Sequence, residues 1–499
     1  MPEETKPVLF VVFGATGDLF NRKLAPAFYK MYHNKVLSDR FALIGVGRRE
    51  KTDAEFRTDI EKAVRAVHKG AKPDELVRLQ ERTLYANAPF EDDAGYAALL
   101  ELIRKTEQRF NTGGNRIFYL ATLPEHFGVI AGKIKQHGLD QTTGFCRVII
   151  EKPFGNDLLS ATKLNSQIAR VFSEEQIFRI DHYLGKELVQ NLLVSRFAND
   201  IFKYPWNRKF IDHVQILVAE ENGIGNRGQY FEKAGVLNDM VQNHILQLVA
   251  LTAMDAPKSM SAKDITAAKI KVLQRIHYSS KTDPNPVVLG QYEAGTIDDK
   301  PVVGYRAESN VTTGSKTPTF AAIRFEINNK NWKGVPFYVR TGKRLPKMAA
   351  RIWLEFKTKP EKLFAGTGLS IKPNHLEFRI QPDEGIALFF NVKVPGREMR
   401  IKQYHLDFCH ECEFGLNTPE AYERLLQDCM HGDKTLFTSW KETRLAWKIM
   451  EPIAKTCTAM APHPYAAGGW GPAAADELIA RDGRRWHVPK EYGGNGSVY

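Results

Sequence analysis

Apolar and polar residues alternate along the first 180 residues in a regular order. Short apolar runs, VLFVVFG (8–14), FALIGVG (41–47), RIFYLAT (116–122) and CRVIIEKPF (146–154), are separated by amphipathic stretches such as KLAPAFYKMYHN and YAALLELIRKTEQRF. This order is typical of parallel strands joined by crossover helices. We therefore expect residues 1–180 to form an α/β, Rossmann-like domain.

After residue 200 the apolar runs follow one another with few helices between them. They are HVQILVAE, VVLGQYEAG, FAAIRFEIN, VPFYVRTG, RIWLEFKT, LEFRIQ and IALFFNVKV, and helices are predicted at about 234–254, 261–277, 418–431 and 440–456, before a Gly/Pro/Tyr-rich tail. The pattern predicts an α+β second domain, residues 181–499, with a large mostly antiparallel sheet. Such a sheet usually has a face that helices or another subunit must cover.

The charge balance narrows the class of partner. The chain has 70 Lys and Arg residues against 58 Asp and Glu residues, a formal net charge of +12, which favours anionic partners. Because the basic residues are spread along the chain without a basic tail or a nucleic-acid module, we expect small charged ligands and no nucleic acid. The apolar runs are too short for a membrane span, so no membrane association is expected.

The cysteines do not indicate a disulfide framework, since there are only five in 499 residues. Cys409 and Cys412 form a close pair in CHEC, but no second pair stands at zinc-finger spacing. We expect reduced thiols here and no metal site. The N-terminal residues MPEETKP do not have the pattern of a signal peptide, so the cytoplasm is the expected compartment.

The segment FGATGDLFNRKL (13–24) stands where the first predicted strand turns into the first helix. Gly14 and Gly17 would let the backbone turn tightly and approach a diphosphate at the helix N-terminus. Thr16 and Leu19 occupy the places of the second and third glycines in G-x-G-x-x-G, so the motif is degenerate. A plain strand-to-helix turn remains the alternative at this point.

The second strand ends in GVGRRE (45–50), where dinucleotide-binding domains contact the adenosine ribose. An acidic residue at this place would favour NAD, whereas Arg48 and Arg49 suit the 2′-phosphate of NADP. The alternative is that both arginines merely begin a solvated helix. The sequence therefore predicts NADP as the coenzyme, with NAD not excluded.

A dense polar group, RIDHYLGKE (179–187), follows the late elements of the first domain, as does Lys152 in EKPFG. His182, Tyr183 and Lys186 can bind a phosphate, and Asp181 can orient a histidine. Capping of a helix near Gly185 by Asp181 or His182 would explain only part of the group.

An apolar-periodic helix, AGVLNDMVQNHILQL (234–248), carries Asp239 and His244. A lone histidine on such a helix is more often a satisfied core residue than a catalyst. Asp239 precedes His244 by five positions, so in an α-helix the two side chains need not share a face. The residues alone leave this site open.

Several segments together resemble the glucose-6-phosphate dehydrogenase family, in order and over nearly the whole chain. They are GATGDL with RKL, EKPFG, DHYLGKE, the run DMVQNH, GVPFYVRTGKRL (334–345) and PEAYERLLQD (419–428). DHYLGKE is highly specific, and in the family it is the signature of the substrate phosphate site. The resemblance implies oxidation of glucose 6-phosphate to 6-phosphogluconolactone with NADP, the entry step of the oxidative pentose phosphate pathway.

The resemblance also assigns roles by position. His244 would be the base, and Asp181 would hold its imidazole. The remaining substrate residues would be Lys152, His182, Tyr183, Lys186, Glu220, Asp239 and Lys343, and the coenzyme residues would be Gly14, Thr16, Gly17, Lys23, Arg48 and Lys152. The chemistry moves a hydride and a proton and needs no metal. A homodimer or homotetramer built on the sheet is implied.

Two rival interpretations remain. A related dehydrogenase for another hexose phosphate or free glucose would be expected to lack Lys186 or His182, and both are present. A sugar-phosphate or NADP sensor without catalysis would be expected to lack His244 or Asp181, and both are present.

Overall fold

The structure, a computed structural model, describes residues 5–278, 285–358, 362–414, 421–458 and 460–490. The strands are β1 (Val8–Phe13), β2 (Phe41–Gly47), β3 (Thr83–Asn87), β4 (Arg116–Leu120), β5 (Cys146–Ile150), β6 (Ile177–Ile180), β7 (Ile211–Ala219), β8 (Ile276–His277), β9 (Val287–Glu293), β10 (Gly295–Ile297), β11 (Lys300–Val302), β12 (Phe320–Ile327), β13 (Phe337–Gly342), β14 (Ala349–Phe356), β15 (His375–Gln381), β16 (Gly385–Lys393), β17 (Ile401–Cys409), β18 (Phe437–Thr438) and β19 (His463–Ala466).

The α-helices are α1 (Ala25–His33), α2 (Asp53–Val67), α3 (Pro73–Glu81), α4 (Asp93–Phe110), α5 (Phe127–Gln136), α6 (Leu158–Ile168), α7 (Glu187–Ala198), α8 (Asp200–Lys203), α9 (Gly228–Val236), α10 (Leu246–Ala253), α11 (Ala262–Leu273), α12 (His410–Phe414), α13 (Ala421–His431), α14 (Trp440–Thr458) and α15 (Ala473–Ala480). Two π-helical segments, Phe20–Leu24 and Leu237–Ile245, directly precede α1 and α10. Short 3-10 turns occupy Pro124–His126, Glu174–Gln176, Gly225–Arg227, Tyr305–Ala307 and Lys362–Phe364.

The chain forms two compact units. The first comprises Met1–Gly185, Met260–Thr266 and Pro419–Arg444, and the second comprises Lys186–Ser259, Ala267–Thr418 and Leu445–Tyr499. The first unit is therefore built from three separate pieces of sequence.

The first unit contains a seven-stranded sheet in the order β18-β6-β5-β4-β1-β2-β3. Its six longer strands are parallel, and only β18 pairs antiparallel. Every residue of β1 and β2 is buried, because helices pack on both faces of such a sheet. The expected doubly wound, Rossmann-like fold is confirmed, and its order reverses direction at β1, where such folds bind ligands.

The second unit contains a ten-stranded sheet with the path β17-β16-β15-β14-β7-β13-β12-β9-β19, and β8 pairs with β12. The pairs β7–β13 and β9–β19 are parallel, and the other pairs are antiparallel. The expected large, mostly antiparallel sheet is confirmed. In the described part of the chain, no helix is both long and apolar enough to cross a membrane.

The predicted elements differ from the structure at several places, among them strand β17, helix α15 and the helix predicted at 234–254. Strand β17, with the sequence IKQYHLDFC, was not predicted because this edge strand has no continuous apolar run. Helix α15 lies within the predicted irregular tail. The predicted helix 234–254 is interrupted at Gly235, whose φ of 56° and ψ of 176° are not helical.

The expectation of reduced thiols is wrong for Cys409 and Cys412, which form a disulfide. Cys409 ends β17 and Cys412 lies in α12, so the chain turns back and brings their Cα atoms to 5.3 Å, within the usual range for a disulfide. Cys146, Cys429 and Cys457 are free thiols.

Candidate active site

The turn after β1 depends on a glycine at position 14. Gly14 has a φ of +86°, and a Cβ added there would lie 2.4 Å from the backbone oxygen of Ala121 at the end of β4. The amides of Gly14 and Ala15 both donate to Val46 O at the end of β2, at 2.9 and 3.2 Å. Gly14 therefore lets the ends of three neighbouring strands meet, which forms the floor of the predicted coenzyme site.

Gly14→Ala should destabilise the first unit by about 1–3 kcal/mol, because alanine adopts positive φ only with strain and its methyl group would clash with backbone. Denaturant unfolding and coenzyme affinity would both measure the loss. Gly132→Ala is the matched control: Gly132 lies in α5 with no atom within 4 Å of an added Cβ. Alanine there should stabilise by up to about 1 kcal/mol. Equal stability of the two variants would contradict the role given to Gly14.

A cleft of about 470 Å³ opens beside this turn. Its lining residues are Thr16, Asn21, Arg49, Lys51, Asp59, Lys62 and Ala63. Arg49, Lys51 and Lys62 are cations, and Asp59 is paired with Lys51 at 2.5 Å. The cleft therefore combines a threonine hydroxyl with positive charge, groups that can bind a phosphate.

The two arginines after β2 have different surroundings. The guanidinium carbon of Arg48 lies 5.8 Å from the centre of the Phe90 ring, whereas Arg49 lines the Thr16 cleft. Helix α2 begins only at Asp53, where Thr52 and Glu55 form a capping box. Both arginines thus precede the helix and do not begin it. The sequence-based prediction named Arg48 as the residue that contacts the 2′-phosphate. It did not distinguish a separate role for Arg49.

Lys23 lies on the first π-helical segment, and its side chain is exposed. Gly17, which follows the turn, donates its amide to Gly14 O at 2.9 Å, and an added Cβ would lie 3.1 Å from that oxygen. Both residues therefore stand at the start of the helical stretch that continues into α1, as the predicted diphosphate site requires.

Lys152 and Asp181 follow β5 and β6, which are neighbouring parallel strands. Their positions at the carboxyl ends of these strands place them on the same edge of the sheet as Gly14. Asp181 is only 1% exposed and accepts the amide N–H of Tyr183 at 3.0 Å. This contact closes a tight turn in which the rings of His182 and Tyr183 lie 5.0 Å apart.

The helix after DHYLGK has no side-chain cap: α7 begins at Glu187, and Lys186 is its N-cap residue without a capping hydrogen bond. The alternative in which Asp181 or His182 caps this helix is therefore wrong. Lys186 itself interacts electrostatically with Glu384, whose pKa is raised by burial and lowered by Lys186 and His410, with a net increase.

Sequence reasoning gave no role to Glu151, which is 8% exposed beneath the predicted Lys152 site. Tyr119 donates to Glu151 Oε1 at 2.5 Å, and Tyr422 also hydrogen-bonds to this carboxyl group. Burial raises the pKa of Glu151, although the two phenols and Lys152 oppose that shift. Glu151 lies in the EKPFG motif, but its partners Tyr119 and Tyr422 are distant in sequence. Their contacts with Glu151 therefore could not be predicted.

In the second unit, the parallel pairing of β7 and β13 aligns Ala219 with Gly342. Glu220 follows the first strand and Lys343 the second, so their side chains meet. Lys343 Nζ donates to Glu220 Oε2 and, at 3.1 Å, to Asp239 Oδ2. Three predicted substrate residues are therefore brought together in one ion-paired cluster.

The charge of Lys343 is held by this cluster. Burial lowers the pKa of Lys343, but Asp239 and Glu220 raise it, and the net pKa lies above the ordinary value. Lys343 Nζ also lies 5.5 Å from the centre of the Phe231 ring. Tyr230 hydrogen-bonds to Asp239, and its pKa is raised by burial and by that carboxylate. Tyr230 and Phe231 belong to α9. They were not predicted as site residues, because aromatic residues in a helix are usually part of the core.

His244 and Asp239 lie on the second π-helical segment, Leu237–Ile245. Backbone hydrogen bonds in a π-helix join residues five apart, so these two positions stand one turn apart on the same side. His244 is fully buried and Asp239 is 3% exposed. Such segments are rare and often lie at functional sites. The π-helical backbone thus allows Asp239 and His244 to be neighbours, which an α-helical spacing of five would not favour.

Known proteins resemble the chain over almost its full length. Residues 11–191 match the family described as "Glucose-6-phosphate dehydrogenase, NAD binding domain", and residues 193–487 match "Glucose-6-phosphate dehydrogenase, C-terminal domain". A "Glucose-6-phosphate 1-dehydrogenase" of Chlamydia pneumoniae is 44% identical over 502 residues, covering 97% of each chain. A protein of that name from Bacillus subtilis (strain 168) is 42% identical, covering 97% of this chain and 99% of its own.

Solved structures agree in fold. A glucose-6-phosphate dehydrogenase in complex with its substrate glucose 6-phosphate superposes with a TM-score of 0.89 at 33% identity, covering 97% of this chain and 99% of its own. A glucose-6-phosphate 1-dehydrogenase from Mycobacterium avium gives a TM-score of 0.83 at 31% identity, covering 97% and 100%.

Proposed function

The chain belongs to the glucose-6-phosphate dehydrogenase family, and we propose that His244 is the base with which it oxidises glucose 6-phosphate. The reaction yields 6-phosphogluconolactone, with hydride transfer to NADP, and is the first step of the oxidative pentose phosphate pathway. The observation that carries the residue assignment is the fully buried His244, one π-helical turn from an Asp239 that is paired with Lys343.

The proton chemistry follows from the oxidation of a hemiacetal to a lactone. A base must remove the proton of the anomeric hydroxyl as the hydride leaves, and a neutral imidazole is suited to this step. We assign Asp181 as the carboxylate that orients this imidazole and stabilises its charged form, without itself becoming protonated. A buried aspartate with one oxygen fixed by the Tyr183 amide is suitable for that task.

The substrate residues divide into two groups. Glu220, Asp239 and Lys343 form a rigid, polar cluster that suits the hydroxyl groups of the sugar. His182, Tyr183 and Lys186 would bind the phosphate, and Lys152 would contact both substrate and coenzyme. Because the phosphate lies away from the reacting carbon, its binding energy can be used to position that carbon. We propose that residues 1–180 bind the coenzyme and residues 181–499 bind most of the sugar phosphate.

The coenzyme assignment rests on the fit of a dinucleotide to the turn after β1. When bound, NADP accepts the hydride. Gly14 and Gly17 would allow the backbone to approach the diphosphate, Lys23 would add a positive charge, and Thr16 would donate to a phosphate oxygen. The cationic cleft beside Thr16, which is lined by Arg49, the neighbour of Arg48, supports a phosphate group near the end of β2.

Arg48→Ala should weaken NADP binding by about tenfold or more and leave NAD almost unchanged, because one charge-assisted contact is worth roughly 1.5–3 kcal/mol. Arg49→Ala is the matched comparison, since it removes the neighbouring guanidinium from the Thr16 cleft. Fluorescence titration of both coenzymes with each variant would measure the effect. Equal losses for NADP and NAD in Arg48→Ala would place the 2′-phosphate contact on another residue.

The activity is tested by the initial rate of coenzyme reduction. The purified chain should reduce NADP rapidly with glucose 6-phosphate, more slowly with NAD, and very little with free glucose. Absence of turnover with every pairing, in a chain whose thermal unfolding shows that it is folded, would favour the sensor without catalysis. Equal rates with free glucose would favour the related dehydrogenase of broader specificity.

A homodimer or homotetramer is proposed from the open face of the large sheet. Leu406 on β17 is 64% exposed, and it pairs in register with Leu388 of β16, next to the pair Phe390 and Tyr404. An apolar sheet face of this kind needs a cover, and a second copy would provide one. Light scattering that gives the mass of one chain at micromolar concentration would contradict this assembly. A cytoplasmic location is also proposed: three of the five cysteines are free thiols, with the Cys409–Cys412 disulfide as the exception, and cell fractionation would test it.

A further inference from the structure

The motif PEAYERLLQD (419–428) contains no residue that has been assigned to the proposed reaction. From Ala421 onward its residues form helix α13. This helix belongs to the first unit, although it follows Gly185 by more than 200 residues. Its place beside the parallel sheet therefore depends on contacts with segments that are distant in sequence.

The last turn of α13 is bound to the parallel sheet. Arg147 on β5 donates from Nη1 to Cys429 O at 2.5 Å and to Met430 O at 2.8 Å, so two carbonyl groups at the end of the helix have a partner. Leu425 and Leu426 are buried, so the helix also has an apolar face in the core. These contacts fix the helix, and they also fix the side chains of its first turn.

The N-terminal part of α13 contacts two segments that follow strands of the parallel sheet. A Cβ added to Gly185, the glycine of DHYLGKE, would lie 3.0 Å from Ala421 O and 3.2 Å from Leu425 Cγ, so this motif packs directly on the helix. The next residue, Tyr422, hydrogen-bonds to the carboxyl group of Glu151 in EKPFG. Both segments carry residues that are assigned to the substrate, and one helix supports them.

Three hydrogen bonds converge on the carboxyl group of Glu151, which is buried. Tyr119 on β4 donates to Oε1 at 2.5 Å, Tyr422 donates from α13, and the backbone amide of Lys152 donates as well. Burial and Glu151 raise the pKa of both phenols, so each keeps the proton that it donates. The ammonium group of Lys152 also acts on this carboxyl group through its charge. Glu151 thus links both phenols to Lys152.

We propose that Tyr422 is a positioning residue for Lys152: its hydroxyl holds the Glu151 carboxyl group, and that group fixes the backbone and the ammonium of Lys152. This role rests on the proposed function, in which Lys152 contacts both substrate and coenzyme. Without the Tyr422 hydroxyl, the carboxyl group of Glu151 would have only one phenol and could turn away from Lys152. A shift of about 1 Å in a group that orients a substrate can lower the rate by about 10²-fold.

Tyr422→Phe keeps the ring and removes only the hydroxyl group. It should lower kcat/KM for glucose 6-phosphate by about 10- to 100-fold, and it should raise the Kd for NADP. Tyr119→Phe, which removes the other phenol from Glu151, should act in the same direction. The matched control is Tyr96→Phe, because Tyr96 is a buried tyrosine of α4 whose hydroxyl has no hydrogen-bond partner in the described part of the chain. This variant should keep the wild-type rate and Kd.

A double-mutant cycle with Lys152→Ala separates positioning from a general effect on stability. If Tyr422 acts through Lys152, adding Tyr422→Phe to Lys152→Ala should change neither kcat/KM nor the Kd for NADP any further. Fluorescence titration measures that Kd without turnover, so the cycle can be completed even where Lys152→Ala reacts slowly. A phenol with a purely structural role would lower rate and affinity by the same factor in both backgrounds.

Wild-type kcat/KM in Tyr422→Phe, beside an impaired Lys152→Ala, would overturn the role of Tyr422 and leave the proposed function standing. The same conclusion follows if the losses caused by Tyr422→Phe and Lys152→Ala are simply additive. Wild-type rate and affinity in Lys152→Ala itself would instead remove Lys152 from the proposed function, and the role of Tyr422 would fall with it. Thermal unfolding of each full-length variant shows that it is folded.

Discussion

His244→Asn is expected to lower kcat by about 10²–10⁴-fold while the affinity for glucose 6-phosphate changes little. Asparagine keeps a polar group of similar reach but cannot accept the proton of the anomeric hydroxyl. Because the imidazole must be neutral to act, kcat/KM of the wild type should fall as the pH is lowered. The variant should lack that fall. Steady-state rates across pH, with Kd measured separately by titration, would test both statements.

His405→Asn is the matched control, since His405 is a buried histidine on β17 of the same unit and has no proposed part in the reaction. It should retain nearly wild-type turnover even if its thermal stability falls. Near-normal turnover of His244→Asn would remove His244 from the role of base. A parallel loss of kcat in both variants would show that loss of packing, and not loss of the base, lowers the rate.

Lys343→Met is expected to destabilise the second unit by about 3–5 kcal/mol, since removing one partner of a buried pair leaves an uncompensated charge. Most of this loss of stability should come from the unpaired charge of Asp239, because its side chain is only 4% exposed. The side chain of Glu220 is 34% exposed, so water can solvate its charge. The variant should also raise KM for glucose 6-phosphate, because Lys343 would no longer hold the carboxylates of Glu220 and Asp239 in position for the sugar. Denaturant unfolding and steady-state kinetics measure the two effects.

Adding Asp239→Asn to Lys343→Met should recover part of the lost stability, because the orphaned charge is then removed. Lys333→Met is the control for the loss of a lysine in general: Lys333 is exposed, and its replacement should change stability by no more than about 0.5 kcal/mol. If Lys343→Met and Lys333→Met unfolded at the same denaturant concentration, the buried cluster would contribute nothing to stability.

Local patterns predicted both sheets, because the buried parallel strands of the first unit are continuous apolar runs and most strands of the second are recognisable by their apolar residues. The cluster around Lys343 could not be predicted in this way, since it depends on β7 and β13 being parallel neighbours although more than 100 residues separate them. The position of Lys343 came only from family resemblance.

The relation between Asp239 and His244 shows a different limit. Their five-residue spacing argues against a shared face in an α-helix, and nothing in the composition of LNDMVQNHI predicts a π-helix. The disulfide of Cys409 and Cys412 was missed for a similar reason, since it depends on the chain turning at the end of an unpredicted edge strand. In both cases the backbone path, and not the residue types, decides the outcome.

The first unit cannot complete its fold while only its N-terminal part has been synthesised. Strand β18 pairs with β6, Arg147 donates to Cys429 O and Met430 O, and Lys434 donates to Glu174 O, so late residues complete the edge of the parallel sheet. They leave the ribosome more than 200 residues after Gly185, a delay of roughly 10–50 s at typical synthesis rates. During that interval the backbone edge of β6 is unpaired and can pair with a strand of another chain. In a fragment ending at Gly185 this edge would stay unpaired permanently.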